Sequence, residues 1–214
     1  MINILLVDDH ELVRTGVTKI LNEVKGFKVI NECKTGEEAI AYCKKSEPDV
    51  VLMDMDMPGM GGIEATKKLL RIIPEIKVII LTAHTEDPFP TKVMQIGASG
   101  YLTKGSDTKE IVNAIRVVHC GQRYLPDEIA QQMALSKFKS PTENPFSELS
   151  DRELQIMLMV TRGEKVTDIS ENLHLSSKTI NSYRYRMFEK LNVSNDVELT
   201  HLAIRHGMIN TEKL

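Results

Sequence analysis

Short apolar runs alternate with longer stretches of helical periodicity along the first half of the chain. The run Ile2–Val7 precedes residues 10–24, where apolar side chains recur every three or four positions, as they do on one face of a helix. The same alternation predicts further strands at 28–31, 50–53, 78–81 and 100–102, and further helices at 36–46, 63–73, 90–96 and 108–119. Because parallel strands need crossover connections, five strands alternating with five helices predict an α/β domain with a doubly wound parallel sheet.

The pattern changes after about residue 121. Residues 127–136 predict a short helix, and residues 137–145 hold two prolines among polar side chains, which is typical of a linker. The remainder has no strand pattern. Ser150 and Glu153 predict a capping box at the start of one helix, and three more are predicted at 166–173, 177–191 and 196–206. We therefore expect a five-stranded domain at 1–121, a linker with a short helix at 122–147 and a small all-α four-helix domain at 148–214.

Composition narrows the class of protein. The 214 residues are 42% hydrophobic and 27% charged, which is ordinary for a globular protein, and no apolar run reaches the roughly 18 residues that a membrane-spanning helix needs. The three cysteines, Cys33, Cys43 and Cys120, are too scattered for a disulfide framework or a metal site. No basic segment precedes Ile2–Val7, so we expect no signal peptide and a cytoplasmic location, away from membranes.

Polar residues follow the predicted strands at the ends where doubly wound sheets bind ligands. Asp8 and Asp9 follow the first strand and Asp54 the third, while Thr82 and Lys104 follow the fourth and fifth. In the flavodoxin-like order 2-1-3-4-5 the first and third strands are neighbours, so the three aspartates would converge. Carboxylates this close repel one another and need a cation, and a hard ion such as Mg²⁺ fits oxygen ligands.

This set of side chains predicts phosphoryl transfer to a carboxylate. Asp54 would attack as the nucleophile, the Lys104 ammonium would neutralise the phosphoryl group, and the Thr82 hydroxyl would hydrogen-bond one of its oxygens. A single aspartate after a strand is more commonly a turn or a helix cap. What favours a site here is that five chemically matched groups follow four different strands.

The same positions resemble the receiver domain of two-component response regulators. The resemblance covers residues 1–121 and is carried by Asp8-Asp9, by residues 54–62, by Leu81-Thr82-Ala83 and by residues 101–104. It implies that a partner histidine kinase phosphorylates Asp54, with Lys104 and Thr82 taking part in the chemistry. It also implies that Mg²⁺ is held by Asp8, Asp9, Asp54 and the backbone carbonyl of Asp56.

Several neighbours of this site have alternative interpretations. By the resemblance, Tyr101 turns inward as the threonine moves toward the phosphoryl group; alternatively, its ring covers apolar surface near the sheet edge. His84 flanks the phosphorylation site by the resemblance, or is an exposed loop histidine. His10 is interpreted as the first residue of a helix rather than as a phosphate carrier. Gly105 stands where receivers often have proline, so no cis peptide is expected after Lys104.

Residues 166–173 and 177–191, joined by a short turn, have the lengths of a helix-turn-helix. The whole chain has a net charge of −3, but four cations against one acid give residues 178–190 a net charge of +3. We expect DNA phosphates to contact Lys178, Arg184, Arg186, Lys190 and the helix N-terminus at Ser177. We expect base edges in the major groove to contact Asn181, Ser182 and Tyr185. A charged helix that simply lies in solvent is the alternative.

This segment resembles the DNA-binding domain of LuxR/NarL (FixJ) regulators, through residues 149–153, 176–184 and 190–193. The resemblance adds Thr179 and Tyr183 to the DNA-contacting residues. It implies that the last helix makes a dimer contact through Val197, Leu199, Leu202 and Ala203. Within that family the chain most resembles the GacA/UvrY/LetA global regulators, which implies a hybrid BarA/GacS-type sensor kinase as partner. The implied output is transcription of small RNAs that sequester a CsrA/RsmA-type translational regulator.

We therefore expect a phosphorylation-activated transcription regulator that binds an inverted repeat in double-stranded DNA as a homodimer. No enzymatic activity is expected beyond the receiver's own phosphoryl chemistry. Two other classes of protein remain as alternatives. Residues 54–56 superficially resemble the motif of haloacid-dehalogenase aspartyl-phosphate phosphohydrolases, although those enzymes carry it after their first strand. The other alternative is a DNA-binding module controlled by a small ligand or a protein partner, with a silent receiver.

Overall fold

The computed structural model describes residues 1–85, 88–136 and 144–209. The chain forms two compact units, of which the first comprises Met1–Thr85 and Pro90–Gln132 and the second is built mainly from the residues after Met133. The boundary between Gln132 and Met133 lies within residues 122–147, where the sequence placed a linker with a short helix. The proline-containing part of that predicted linker, residues 137–143, lies outside the described residues.

A five-stranded parallel sheet forms the centre of the first unit. Its strand order is β2-β1-β3-β4-β5, which confirms the predicted flavodoxin-like order. The strands are β1 Ile2–Val7, β2 Phe27–Cys33, β3 Val50–Asp54, β4 Val78–Thr82 and β5 Gly100–Thr103. Every residue of β3 and β4 is buried, as expected for central strands that are covered on both faces.

Six helices follow or connect these strands, and all were predicted to within three residues at each end. They are α1 Glu11–Glu23, α2 Gly36–Cys43, α3 Gly61–Ile72, α4 Phe89–Gln95, α5 Thr108–His119 and α6 Asp127–Ser136. The largest difference is in α2, which ends at Cys43 rather than near residue 46. Directly after this end the Lys45 N–H donates to the Tyr42 carbonyl, three residues back, at 2.9 Å, which is a tighter turn than that of an α-helix.

A glycine fixes the loop that carries the end of β3. The Gly62 N–H donates to the Met55 carbonyl at 3.0 Å. A Cβ atom at Gly62 would lie 2.0 Å from the Asp54 carbonyl oxygen and 2.8 Å from the Met55 Cα, which is impossible without backbone movement. Residue 62 must therefore be glycine for α3 to begin this close to Asp54.

The second unit is helical throughout its described part. A short 3-10 helix, Pro145–Glu148, precedes four α-helices: α7 Asp151–Thr161, α8 Val166–Asn172, α9 Ser177–Leu191 and α10 Asp196–Arg205. The capping box at the start of α7 is confirmed, because the Glu153 N–H donates to Ser150 Oγ at 3.3 Å and the Ser150 N–H donates to Glu153 Oε2 at 2.8 Å.

The helix-turn-helix pair shares a small apolar core. Ile169, Leu173, Ile180 and Met187 are buried in it, while Leu175 is only half-buried. In the described part of the chain, no helix is both long enough and apolar enough to cross a membrane.

Candidate acidic site and candidate DNA-binding helix

Two carboxylates and one ammonium group meet at the carboxyl ends of the central strands. Asp8 follows β1, Asp54 ends β3, and Lys104 follows β5. The Lys104 Nζ lies 2.8 Å from Asp54 Oδ2 and 2.9 Å from Asp8 Oδ2, and each carboxylate side chain is only 1% exposed. The strand order predicted this convergence, and the structure brings the three side chains together.

Burial controls the charge of this cluster. Burial raises the pKa of Asp54 to about 6, although the hydrogen bond from Lys104 opposes the change. Burial would lower the pKa of Lys104, but its bonds to Asp54 and Asp8 outweigh this and raise that pKa. Lys104 is therefore an ammonium group at neutral pH, and Asp54 is mostly ionised, as a nucleophilic carboxylate must be.

The same edge of the sheet offers a set of ligands for a divalent cation. Asp8, Asp9, His10 and Asp54 each contribute one ligand atom, and these four atoms all lie within 4.8 Å of one another. The three aspartates were predicted from the sequence. His10 was not, because its position suggested only the start of α1. Oxygen ligands in this number fit Mg²⁺ or a similar ion.

The predicted fourth magnesium ligand is the backbone carbonyl of Asp56. The structure places the Asp56 N–H 3.2 Å from Asp54 Oδ1, so this residue lies beside the acidic cluster. The role of its carbonyl stays a prediction.

A chain of hydrogen bonds joins the threonine of β4 to the tyrosine of β5. The fully buried Thr82 accepts a hydrogen bond at Oγ1 from the His84 N–H at 3.1 Å, and the His84 carbonyl accepts one from the Tyr101 hydroxyl. The His84 imidazole Nε2 lies 2.7 Å from Asp56 Oδ2. Tyr101 is 0% exposed and turned inward, and burial raises its pKa.

These hydrogen bonds do not fit the simpler interpretations of His84 and Tyr101. The His84 side chain is only 12% exposed, so it is not an exposed loop histidine. Tyr101 does more than cover apolar surface, because its hydroxyl has a specific hydrogen-bond partner. Sequence reasoning missed the link because the histidine and its carboxylate partner, Asp56, lie 28 positions apart.

Arg14 is a further residue that sequence reasoning missed. Its side chain is buried, its Nη1 donates to the Asp8 carbonyl at 2.7 Å, and its Nε lies 3.6 Å from a Glu32 carboxylate oxygen. A signal for it existed, since Arg14 stands seven residues before Leu21, on the face of α1 that is buried.

The exposed face of α9 is the candidate DNA-binding surface. The helix begins after Ser176, whose Oγ accepts the Thr179 N–H at 3.1 Å, while Ser177 is exposed beside this first turn. Four exposed side chains follow at the spacing of one helix face: Lys178, Ser182, Tyr185 and Arg186.

Aromatic contacts orient part of this surface. The Arg186 guanidinium lies 4.6 Å from the centre of the half-buried Tyr183 ring. Tyr185 itself is 72% exposed, which leaves its ring available to a partner. The structure thus presents Lys178, Ser182, Tyr185 and Arg186 as predicted.

Two of the predicted phosphate contacts have partners within the helical unit in this structure, and their roles on DNA stay predictions. Arg184 donates from Nη2 to Asp196 Oδ2 at 2.5 Å and from Nη1 to Asn181 Oδ1 at 3.0 Å, which is the oxygen of the predicted base-reading amide. Lys190 binds the buried Glu153 carboxylate at 2.7 Å. These side chains tie α9 to α10 and α7, so of the four cations only Lys178 and Arg186 stay exposed without an acidic partner in the described residues. When the negative charge of Glu189 is included, the net charge of these exposed, unpaired side chains in residues 178–190 is +1, whereas the sequence alone gives +3.

The predicted dimer face on α10 needs correction. Leu199 and Ala203 are both 0% exposed because they pack in the core of their own unit. Buried side chains cannot contact a second copy. Val197, which is 64% exposed, and the half-buried Leu202 stay available to a partner.

Comparison with known proteins identifies both units. Residues 4–116 match the family model described as "Response regulator receiver domain", and residues 147–203 match "Bacterial regulatory proteins, luxR family". The chain is 61% identical over 215 residues to "Response regulator UvrY" of Escherichia coli (strain K12), covering 100% of this chain and 99% of that protein. It is 53% identical over 210 residues to "Response regulator GacA" of Pseudomonas protegens, covering 98% and 99%.

A solved structure matches over nearly the whole length. RcsB from Salmonella enterica serovar Typhimurium, bound to promoter P1flhDC in the presence of phosphomimetic BeF3-, is 25% identical, with a TM-score of 0.70 over 94% of this chain and 97% of that one. Both domain matches, the full-length relatives and the fold agree. The chain belongs to the two-component response regulators that combine a receiver domain with a LuxR-type DNA-binding domain.

Proposed function

We propose that a sensor histidine kinase phosphorylates Asp54 and that the modified protein then binds promoter DNA through α9. The observation that carries this proposal is the Asp54 carboxylate, held by Lys104 beside Asp8 at the end of β3. The family to which the chain belongs supports the same function.

The residues of the site supply the chemistry in separate steps. The ionised Asp54 attacks the phosphorus of a phosphohistidine, and the phosphorus–nitrogen bond breaks as the new phosphorus–oxygen bond forms. Lys104 neutralises charge on the transferred group, and the Thr82 hydroxyl donates to one of its oxygens. A bound Mg²⁺, held by Asp8, Asp9, Asp54 and the Asp56 carbonyl, would screen the repulsion between the carboxylates and the phosphoryl oxygens.

Mass spectrometry with a small phosphodonor tests the acceptor. We expect acetyl phosphate and Mg²⁺ to add one phosphoryl group to the intact protein, and we expect EDTA to prevent the addition. Asp54→Asn should abolish it, whereas Glu75→Gln, a change at an exposed receiver carboxylate, should not. Persistent labelling of Asp54→Asn at another residue would contradict the assignment.

Phosphorylation acts on the Thr82–His84–Tyr101 hydrogen-bond network in this proposal. When the Thr82 hydroxyl turns to the phosphoryl group, the bond from the His84 N–H is weakened, and that change reaches the carbonyl that holds Tyr101. A phosphoryl group therefore changes the relative stability of the inward and outward Tyr101 positions.

The modified protein binds as a homodimer to an inverted repeat in double-stranded DNA. One helix-turn-helix reads only a few base pairs, which is too little to select among genomic sites, and two coupled copies remove that limit. The RcsB structure with promoter DNA and phosphomimetic BeF3- supports DNA binding by the phosphorylated form.

Similarity to UvrY and GacA supports finer assignments. The partner kinase is of the hybrid BarA/GacS type, and the targets include genes for small regulatory RNAs. The protein acts in the cytoplasm as a regulator, without turnover of small phosphate esters. Phosphotransfer from purified candidate kinases and genome-wide binding, compared with Asp54→Ala, test the partner and the targets.

A further inference from the structure

His10 lies against the acidic site with one ring nitrogen facing the carboxylates. Its Nδ1 is hydrogen-bonded to Asp8 Oδ1 at 3.2 Å and lies 2.9 Å from Asp9 Oδ1. Lys104 binds the other oxygen of Asp8, Oδ2, so the ammonium group and the imidazole approach different oxygens of that carboxylate. The imidazole therefore occupies a side of the site that Lys104 leaves unused.

Helix capping does not explain this histidine. His10 is the N-cap residue of α1, yet its side chain makes no capping hydrogen bond. Serine, threonine, aspartate and asparagine are the residues that stabilise this position. The His10 side chain is instead 63% exposed, with Nδ1 directed at the carboxylates. Its orientation is set by the acidic site rather than by the helix.

The contact between His10 and Asp9 has the form of two ligands that share one ion. The Asp9 Oδ1 atom is inaccessible to solvent and has no hydrogen-bond partner in the described residues, although the imidazole nitrogen is only 2.9 Å away. The imidazole nitrogen makes its hydrogen bond to Asp8 Oδ1 at 3.2 Å, and it lies close to Asp9 Oδ1 without the alignment of a second one. Neighbouring ligands at about 2.1 Å from an octahedral ion lie about 3.0 Å apart.

We infer that His10 Nδ1 is a metal ligand of this site, which makes the site selective for divalent ions that accept nitrogen, such as Mn²⁺, over Mg²⁺. The inference rests on the metal site of the proposed function. Imidazole suits transition-metal ions, whereas Mg²⁺ prefers oxygen and keeps its waters. Protein sites generally bind Mn²⁺ more tightly than Mg²⁺. The contribution of His10 is therefore measured as the part of this preference that is lost when the imidazole is removed.

Electron spin-echo spectroscopy of the full chain with Mn²⁺ alone tests the ligand directly. We expect nitrogen modulation from one imidazole, shifted when the protein carries ¹⁵N-histidine, and lost in His10→Ser. Serine is a favoured N-cap residue, so this variant keeps α1. Calorimetric titration should show the Mn²⁺ dissociation constant rising about tenfold in His10→Ser, and that of Mg²⁺ changing less than about twofold.

His201→Ala is the matched control, because this exposed histidine lies on α10 in the other unit. It should leave the modulation and both affinities unchanged. Nitrogen modulation that is absent from the unaltered protein, or that persists in His10→Ser, overturns the inference. Equal weakening of Mn²⁺ and Mg²⁺ also overturns it. If Mn²⁺ binds without nitrogen modulation while Asp54 is still phosphorylated, the proposed function stands and only the role of His10 fails.

Discussion

A single buried cation, Arg14, holds the loop that presents Asp8. Burying a guanidinium group is costly unless hydrogen bonds and an opposite charge compensate it, and here the Asp8 carbonyl and Glu32 do so. Its bond is to the backbone of Asp8, not to the carboxylate. Arg14 is therefore a positioning residue, which fixes where the Asp8 side chain stands without touching a phosphoryl group.

Replacing Arg14 should weaken the metal site more than a change in surface charge would. We expect Arg14→Met to lower the free energy of unfolding by about 1–3 kcal/mol, because the Asp8 carbonyl loses its donor. We also expect Mg²⁺ affinity to fall about tenfold, as it does when supporting contacts of metal ligands are removed. Glu32→Gln keeps the bond to Asp8 and is the control. Equal Mg²⁺ affinities in both variants, measured by calorimetry, would argue against the positioning role.

At the scale of elements, the start of α7 depends on one carboxylate. Burial alone would raise the pKa of Glu153, but hydrogen bonds from Lys190 and from Ser150 outweigh burial and hold that pKa below its ordinary value. A lowered pKa in the folded state means that the ionised group stabilises the fold. This contribution is complete above the unfolded pKa of 4.5 and is lost as the pH falls through the lower, folded value.

Hydrogen exchange of the α7 amides measures this contribution. At neutral pH we expect Glu153→Gln to reduce protection by an amount that corresponds to about 1–3 kcal/mol, because the charged hydrogen bond with Lys190 is lost, while the glutamine amide oxygen can still accept the Ser150 N–H. Below pH 4.5 the difference between the variant and the unaltered protein should shrink. Glu189→Gln, on exposed α9 surface, should show neither effect. A difference that does not change with pH would contradict the ionic explanation.

The structure distinguishes the two arginines of α9 by their partners. Arg186 is exposed, whereas Arg184 is bound to Asp196 and Asn181. In a dimer, Arg186→Ala or Lys178→Ala should lower the slope of log K against log salt by roughly 1.8, at about 0.9 for each lost phosphate contact. Arg184→Ala should leave that slope unchanged and destabilise the helical unit.

Base contacts are tested separately. Tyr185→Ala should cost about 1–3 kcal/mol on the specific site and little on unrelated DNA, because base-edge contacts carry specificity and phosphate contacts do not. Equilibrium binding at several salt concentrations, with both kinds of DNA, makes the measurement. If Arg184→Ala lowers the slope of log K against log salt, Arg184 contacts a phosphate, and its bond to Asp196 must open when the protein binds DNA.

The features that could be predicted from the sequence are those that depend on local pattern and on which residues follow the strands. Asp8, Asp54 and Lys104 were predictable because a parallel sheet collects the carboxyl ends of its strands at one edge. Partners that come from distant positions were not predictable. Lys190 lies 37 residues from Glu153, and nothing in its own helix shows that a buried carboxylate neutralises it. The inward face of α10 was missed for the same reason, since periodicity marks an apolar face without showing what covers it.

For the molecule as a whole, the receiver domain can regulate the protein only if its phosphorylation changes how tightly the second domain binds DNA. The receiver can do this by favouring dimer assembly, since two coupled half-site contacts multiply in affinity whereas one does not. A tenfold tighter response needs about 1.4 kcal/mol, which a new charge-assisted hydrogen-bond network can supply.

The most direct measurement compares DNA binding to one half-site and to an inverted pair, with and without acetyl phosphate, for the unaltered protein and Asp54→Asn. We expect phosphorylation to tighten binding to the pair at least about tenfold, to change binding to the single half-site little, and to have no effect in Asp54→Asn. Equal tightening on a single half-site would show that phosphorylation unmasks the helix instead of assembling a dimer. Tightening that persists in Asp54→Asn would contradict the central claim that phosphorylation of Asp54 controls DNA binding.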